Sequence, residues 1–267
     1  MNCQLGESPG IFRRNAVHCF RHASEVRLLI TGLSGTLGPV VACIARQQGH
    51  TVLGWDHRAF GFRDARAFDA MRPEAVLHLA MASSDASAAL AVLAAERGLP
   101  FAVTSTAMVF HHEPNGPHQV SDTRTAKDDY GLSKIAVEDA VLAAHPAASV
   151  VRIGWQIDPQ ATGNNMLAAL DRWQVEQGEV AASSAWVPAG SFMSDTASAL
   201  LGLIDRPGVH HVDSNAVDAW PFDRLVHALS RRFGRSQWRI QSHTDYRHDQ
   251  RLVGGEGLVP GLAQLLG

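Results

Sequence analysis

Between Val26 and Gly154 the chain alternates short apolar runs with stretches whose apolar residues recur at helical spacing. Val26-Arg-Leu-Leu-Ile-Thr31 is a brief apolar run ending at Gly32, the pattern of a strand buried on both faces. Over 37–48, Leu37, Val40, Val41, Ile44 and Ala45 fall on one stripe and predict a helix. Thr51–Asp56 predicts a second strand, 64–71 a short helix and Ala75–Ala80 a third strand. Helix 85–97, strand Phe101–Thr106, a long helix over 128–144 and strand Ser149–Gly154 continue the series.

Strands alternating with helices at this spacing form right-handed βαβ units, so the pattern predicts an α/β, Rossmann-type doubly wound parallel sheet. Beyond Trp155 the regularity loosens. A helix is expected over 162–177, capped by Thr162 or Asn164, and another over 195–204. Gly208–Asp213 reads as a strand that would rejoin the sheet, 221–233 as a helix, and the tail from Gly234 as polar until Leu262–Leu266. The expected organisation is an extension over 1–25 and a dinucleotide-binding core over 26–155 with 191–213 rejoining it. A small C-terminal substrate lobe is built from 156–190 and 214–267.

The first 25 residues are basic and lack the continuous apolar core of a secretory signal. A disordered extension or an over-long start is the reading, with a targeting presequence as the alternative. At 46% hydrophobic and 18% charged, the rest can bury a sizeable core. A net charge of −3 gives no case for nucleic acid or an anionic membrane surface, and no run reaches the roughly 18 apolar residues that span a bilayer. Cys3, Cys19 and Cys43 form no CxxC pair, and a reducing cytoplasm is the simplest compartment. Of the 14 histidines, His111-His112 and His210-His211 lack a third ligand at useful spacing, and His18 with His22 lies where there is no apolar periodicity. No metal site is expected.

Candidate chemistry begins at the first strand's end. Gly32, Gly35 and Gly38, with Ser34, Thr36 and Leu37 between them, form a turn that opens the first helix. Glycine there lets the backbone approach a pyrophosphate, and the helix N-terminus offers unpaired N–H groups. The spacing is GxxGxxG, not GxGxxG, and close helix–strand packing alone is the other explanation. Asp56 ends the second strand 24 residues after Gly32, where a carboxylate accepts from an adenine-ribose diol and favours NAD. Arg58, just past His57, leaves NADP open. Leu79, Ala80 and Met81 close the third strand, and Thr104 lies on the fourth, all as cofactor contacts. His78 in such a position is more often a core histidine than a catalyst.

Tyr130 and Lys134 share a helix face at i,i+4. A free phenol titrates near about 10, and a nearby ammonium lowers that value. Lys134 is also suited to donating to nicotinamide-ribose hydroxyls. Thr106 ends the fourth strand, where its hydroxyl would join Tyr130 on one carbonyl oxygen. A tyrosine and lysine at this spacing are common on exposed helices, but the chain has only two tyrosines.

Together these residues resemble the extended short-chain dehydrogenase/reductase superfamily, and most closely its dTDP-4-dehydrorhamnose reductase-like, sugar-nucleotide reductase and epimerase branch. The resemblance covers about residues 26–213. It runs through Thr31–Gly38, Gly49–Asp56, Arg72–Ala80, Ser105-Thr106-Ala-Met-Val-Phe110 and Tyr130-Gly-Leu-Ser-Lys134 with Glu138. Beyond the core it continues in Arg152–Trp155, Gly163-Asn-Asn165 and Ser191–Ala197. It implies Thr106, Tyr130 and Lys134 as catalytic residues, NAD or NADP as cofactor, and pairing through the active helix as a homodimer.

Ala107 stands where the rhamnose-precursor reductases usually carry aspartate, and His111-His112 replaces their Asp-Gly. Ala107-Met108 also lacks the acid pair expected of a dehydratase. Substrate contacts are expected from Ala107, Met108, Trp155, Asn164, Asn165, Trp186 and Arg247, with plain core or a solvated tail as alternatives for the tryptophans and Arg247. The expected activity is NAD(P)-dependent reduction of a keto-sugar or nucleotide-sugar carbonyl. The alternatives are an NAD-dependent epimerase and a non-catalytic NAD(P)-binding regulatory protein.

Overall fold

Five of the six central strands fall where the alternation predicts them: β1 (Arg27–Thr31), β2 (Thr51–Gly54), β3 (Ala75–His78), β4 (Phe101–Thr106) and β5 (Ser149–Ile153). The structure is a computed structural model that describes residues 25–160 and 163–267. The expected N-terminal extension up to residue 24, with Cys3, Cys19, His18 and His22, and the expected Thr162 cap lie outside the described residues. The connecting helices are α1 (Gly38–Gln47), α2 (Ala65–Met71), α3 (Ser84–Ala95) and α4 (Asp129–Ala144). Asp64, Ser83 and Asp128 cap α2, α3 and α4, each accepting a backbone N–H of the first turn.

Chain order continues with β6 (Trp155–Ile157), α5 (Met166–Gln177), β7 (Val180–Ser183), β8 (Trp186–Val187), β9 (Gly190–Phe192) and α6 (Met193–Leu203). It ends with β10 (Gly208–Val212), α7 (Phe222–Arg232), β11 (Ile240–His243), β12 (His248–Asp249) and α8 (Leu262–Leu266). The six-stranded sheet runs β10-β5-β4-β3-β1-β2 with every neighbouring pair parallel. The order reverses at β1, which is flanked by β2 on one side and β3 on the other. That crevice at the strand carboxyl ends is where an open α/β sheet takes a ligand.

Burial on both faces explains why the strands read as continuous apolar runs. Leu28 and Ile30 point to one face and pack with Val41 of α1 and Leu200 of α6. Leu29, between them, points to the other and packs with Phe68, Leu90, Phe101 and Val141. Each such side chain contributes about 1.5–3 kcal/mol by leaving water.

In the second lobe α5, α7 and the short parallel pairs β6–β9, β7–β11 and β8–β12 enclose a core of Ile157, Leu170, Trp220, Phe222 and Leu225. Two expectations are corrected. Helix α5 starts at Met166 with Asn165 as its cap, accepting from the Ala168 N–H at 3.1 Å, not at Thr162 or Asn164. The tail after Gly234 is not a plain polar run: it supplies β11 and β12, whose partners lie some sixty residues earlier in the chain.

Candidate active site

The three glycines after β1 have different duties. A Cβ on Gly32, whose φ is +74°, would lie 2.8 Å from the Ala80 nitrogen, and one on Gly38 would lie 2.2 Å from the Gly32 carbonyl. Helix–strand packing therefore requires both. Gly35 is exposed, and its Cβ would meet only the Gly32 carbonyl, at 3.2 Å. This middle glycine keeps the cradle open.

The cradle opens on a cavity of about 880 Å³, lined by Gly32 to Gly38, Asp56, His57, Arg58, Leu79, Ala80 and Met81 among others. Leu37, at the N-cap of α1, makes no side-chain cap, and the first turn carries no acid. The leading N–H groups remain for an anion, so the residues present fit a dinucleotide pyrophosphate. Asp56 accepts from the Arg58 N–H at 2.9 Å with one oxygen, forming the turn at the cavity edge.

His78 is structural. The Thr31 hydroxyl oxygen accepts from the Leu79 and Ala80 N–H groups, both at 3.1 Å, and so donates its own proton to His78 Nδ1 at 2.8 Å. Nε2 then donates to Ser87 Oγ at 3.0 Å, and Ser87 donates to the Ser83 carbonyl. Burial, with Lys134 nearby, pushes the imidazole down to about 4. A neutral histidine thus pins β1, β3 and α3 under the cradle.

Thr106, Tyr130 and Lys134 meet in a second cavity of about 490 Å³. Thr106 Oγ1 accepts from the Met108 N–H at 3.2 Å and lines the same cavity as Tyr130. Burial raises the phenol above its ordinary value, opposed by Thr106 and reinforced by Asp128. The expected lowering by Lys134 does not occur in this arrangement. Its ammonium is buried and donates to the Thr104 carbonyl at 3.3 Å. Burial lowers the Lys134 value, opposed by Glu138.

Glu138, one turn beyond Lys134 and 1% exposed, ties α4 to the sheet. Arg152 of β5 donates to its two oxygens at 2.9 and 2.8 Å, Ser105 of β4 donates to one, and Arg124 to the other at 3.2 Å. Burial pushes this carboxyl up, but the Arg152 fork and its neighbours prevail and the net shift is down.

The two cavities share Thr36, Leu37, Leu79 and Met81, so they form one cleft. Ala107, Met108, Trp155, Asn164 and Trp186 line the second cavity, together with Thr104. Two expected contacts do not. Asn165 is fully buried and spends its oxygen on the α5 cap, and Arg247 is exposed and lines neither cavity. Sequence reasoning missed Gln156 and Gln250, which line the cavity from β6 and from the strap after β12. Neither belongs to a motif; the pairing of β8 with β12 and the bridge of Leu252 to His118 bring the strap there. No group of three or more metal-ligating side chains occurs among the described residues.

A glycine cradle at the sheet's switch point and a threonine, tyrosine and lysine at the end of the same cleft define an enzyme, an NAD(P)-dependent short-chain dehydrogenase/reductase of the extended type. The chain belongs to the RmlD substrate binding domain family, whose model matches residues 26–220. It is 30% identical to a dTDP-4-dehydrorhamnose reductase of Mycolicibacterium smegmatis, over 82% of this chain and 75% of that protein. Its fold is similar to that of a Bacillus anthracis dTDP-4-dehydrorhamnose reductase solved with NADP, with a TM-score of 0.76 and 17% identity over 91% of this chain and 97% of the other. A UDP-N-acetylglucosamine 4-epimerase from Bacillus cereus superposes with a TM-score of 0.72 and 15% identity, over 89% and 94%. No described helix is long and apolar enough to cross a membrane.

Proposed function

We propose that the chain reduces the carbonyl of a keto-sugar or nucleotide-sugar, with Tyr130 as general acid. The observation that carries this is the meeting of Thr106, Tyr130 and Lys134 in a cavity continuous with the glycine cradle. The cradle of Gly32, Gly35 and Gly38 would hold the pyrophosphate, Asp56 the adenine ribose and Lys134 the nicotinamide ribose. The dinucleotide is NAD or NADP: Asp56 suits a free diol and Arg58 a 2′-phosphate.

When bound, the nicotinamide supplies hydride to the carbonyl carbon. Tyr130 gives its proton to the carbonyl oxygen as charge develops there, and the Thr106 hydroxyl donates a second hydrogen bond to the same oxygen. A phenol's ordinary value of about 10 already leaves it protonated at neutral pH, and partial burial raises the Tyr130 value further, so the form a proton donor needs is present.

Tyr130→Phe should fold and retain cofactor affinity, yet lose about 10²–10⁴-fold in kcat. Unchanged turnover by stopped-flow absorbance of NAD(P)H would remove Tyr130 from the role. A second reading is epimerisation, favoured by the likeness to the 4-epimerase. It would retain cofactor through purification and consume none during turnover.

A further inference from the structure

We propose that His211 is a positioning residue for the reaction. Its neutral imidazole relays hydrogen bonding from the anchor of the active helix to the strap that carries Gln250 to the second cavity. The proposal deepens the carbonyl-reductase reading and rests on it.

The relay starts at Arg152. Its Nε and Nη2 are spent on the two oxygens of Glu138, at 2.9 and 2.8 Å. Nη1 is left to reach the Val120 carbonyl at 3.4 Å and, at 3.3 Å, Nε2 of His211, a fully buried residue of β10. Nδ1 of the same ring lies 2.9 Å from the Val253 carbonyl oxygen. A guanidinium only donates and a carbonyl only accepts. The ring must therefore be neutral with its one proton on Nδ1, accepting from Arg152 and donating to Val253.

The surroundings agree with a neutral ring. Burial pushes His211 down to about 4; the Val253 carbonyl and Glu138 oppose this, while Arg152 and His118 add to it. Glu256 in the tail also interacts with the imidazole. A second proton would set an N–H on Nε2 against the guanidinium, so the relay exists only in the uncharged form.

Val253 lies at the end of a strap held by backbone bonds. The Gln250 N–H donates to the Val187 carbonyl at 2.8 Å, and the Val253 N–H to the His118 carbonyl at 3.0 Å. The Leu252 N–H donates to buried Asp213 at 3.0 Å. Within this strap Gln250 lines the second cavity, and its amide donates to Met108 Sδ at 3.4 Å. His211 thus ties the strap to the guanidinium that seats Glu138, one turn beyond Lys134. A wall of the second cavity and the helix bearing Tyr130 share one anchor.

The first test uses the wild-type chain and no substrate. Proton–nitrogen correlation spectra of the histidine side chains at pH 7 should show His211 as a single Nδ1-protonated tautomer. An Nε2-protonated or charged ring would overturn the proposal. The second test compares His211→Leu, which keeps bulk and removes both hydrogen bonds, with His211→Gln, which retains a donor and an acceptor. With NADPH and a dTDP-linked 4-keto-sugar, His211→Leu should raise KM for the sugar about 5–30-fold, as for a lost buried hydrogen bond. KM for NADPH should stay unchanged, and His211→Gln should recover most of the loss. Amide hydrogen exchange should quicken at Leu252 and Val253 in His211→Leu, but not at the glycine cradle. Unchanged sugar KM and strap exchange, or a His211→Gln no better than His211→Leu, would overturn the relay and leave the reductase reading standing. No hydride uptake by wild type would remove the reductase reading, while the tautomer and the exchange pattern would still decide the relay.

Discussion

Tyr130 reaches the cleft in its acid form. Its value is set by burial, by the Thr106 hydroxyl and by Asp128, while Lys134 is held on the Thr104 carbonyl. The lysine's contribution in the free chain is therefore positional, and its electrostatic partner would be the cofactor. Lys134→Met should leave the phenol's titration in the cofactor-free protein nearly unmoved, and should weaken dinucleotide binding about tenfold or more, as expected for a lost charged hydrogen bond. Ultraviolet titration of the phenol and fluorescence titration with NADPH read the two effects separately. An unchanged dissociation constant would take Lys134 away from the ribose. At this scale Tyr130 and Lys134 are legible from their spacing, but which group sets the phenol's value is not. That depends on where the ammonium turns once β4 packs beneath α4.

Among the elements, α4 is the one whose placement matters most, and Glu138 fixes it to β4 and β5. Glu138→Gln leaves the Arg152 guanidinium buried and short of its partner. It should cost about 3–5 kcal/mol of stability by denaturant unfolding, and a loss near zero would mean that apolar packing alone seats the helix. The β1–β3 junction depends instead on neutral His78. Its folded value, about 4, lies below the ordinary 6.5, so the unfolded chain takes up the proton first as pH falls. The stabilisation is complete above 6.5 and is lost on the way down to 4. His78→Gln should thus be less stable than wild type at pH 7, with the gap narrowing toward pH 4; a gap that widens would show the histidine charged.

The strands themselves were legible because burial on both faces leaves uninterrupted apolar runs such as Phe101–Val103. The start of α5 was not. Thr162, Asn164 and Asn165 are all good capping residues, and only packing decides for Asn165.

Over the whole molecule, one cleft runs from the glycine cradle to the Trp155–Trp186 wall, joined through Thr36, Leu37, Leu79 and Met81. A Cβ on Gly163 would lie 2.6 Å from the Thr36 hydroxyl, so the second lobe is seated directly on the cradle. The cofactor half of this cleft could be read from contiguous motifs, each a strand end followed by a helix start. The second cavity could not, since Gln156, Trp186 and Gln250 converge through short strand pairs far apart in sequence. Reduction requires that hydride cross from one half to the other. NADPH deuterated at nicotinamide C4 on the transferred face, incubated with the dTDP-linked 4-keto-sugar, measures this directly. One deuterium on the new carbinol carbon for each NADPH consumed is the predicted result; a product with no deuterium, or an unconsumed cofactor, would contradict it.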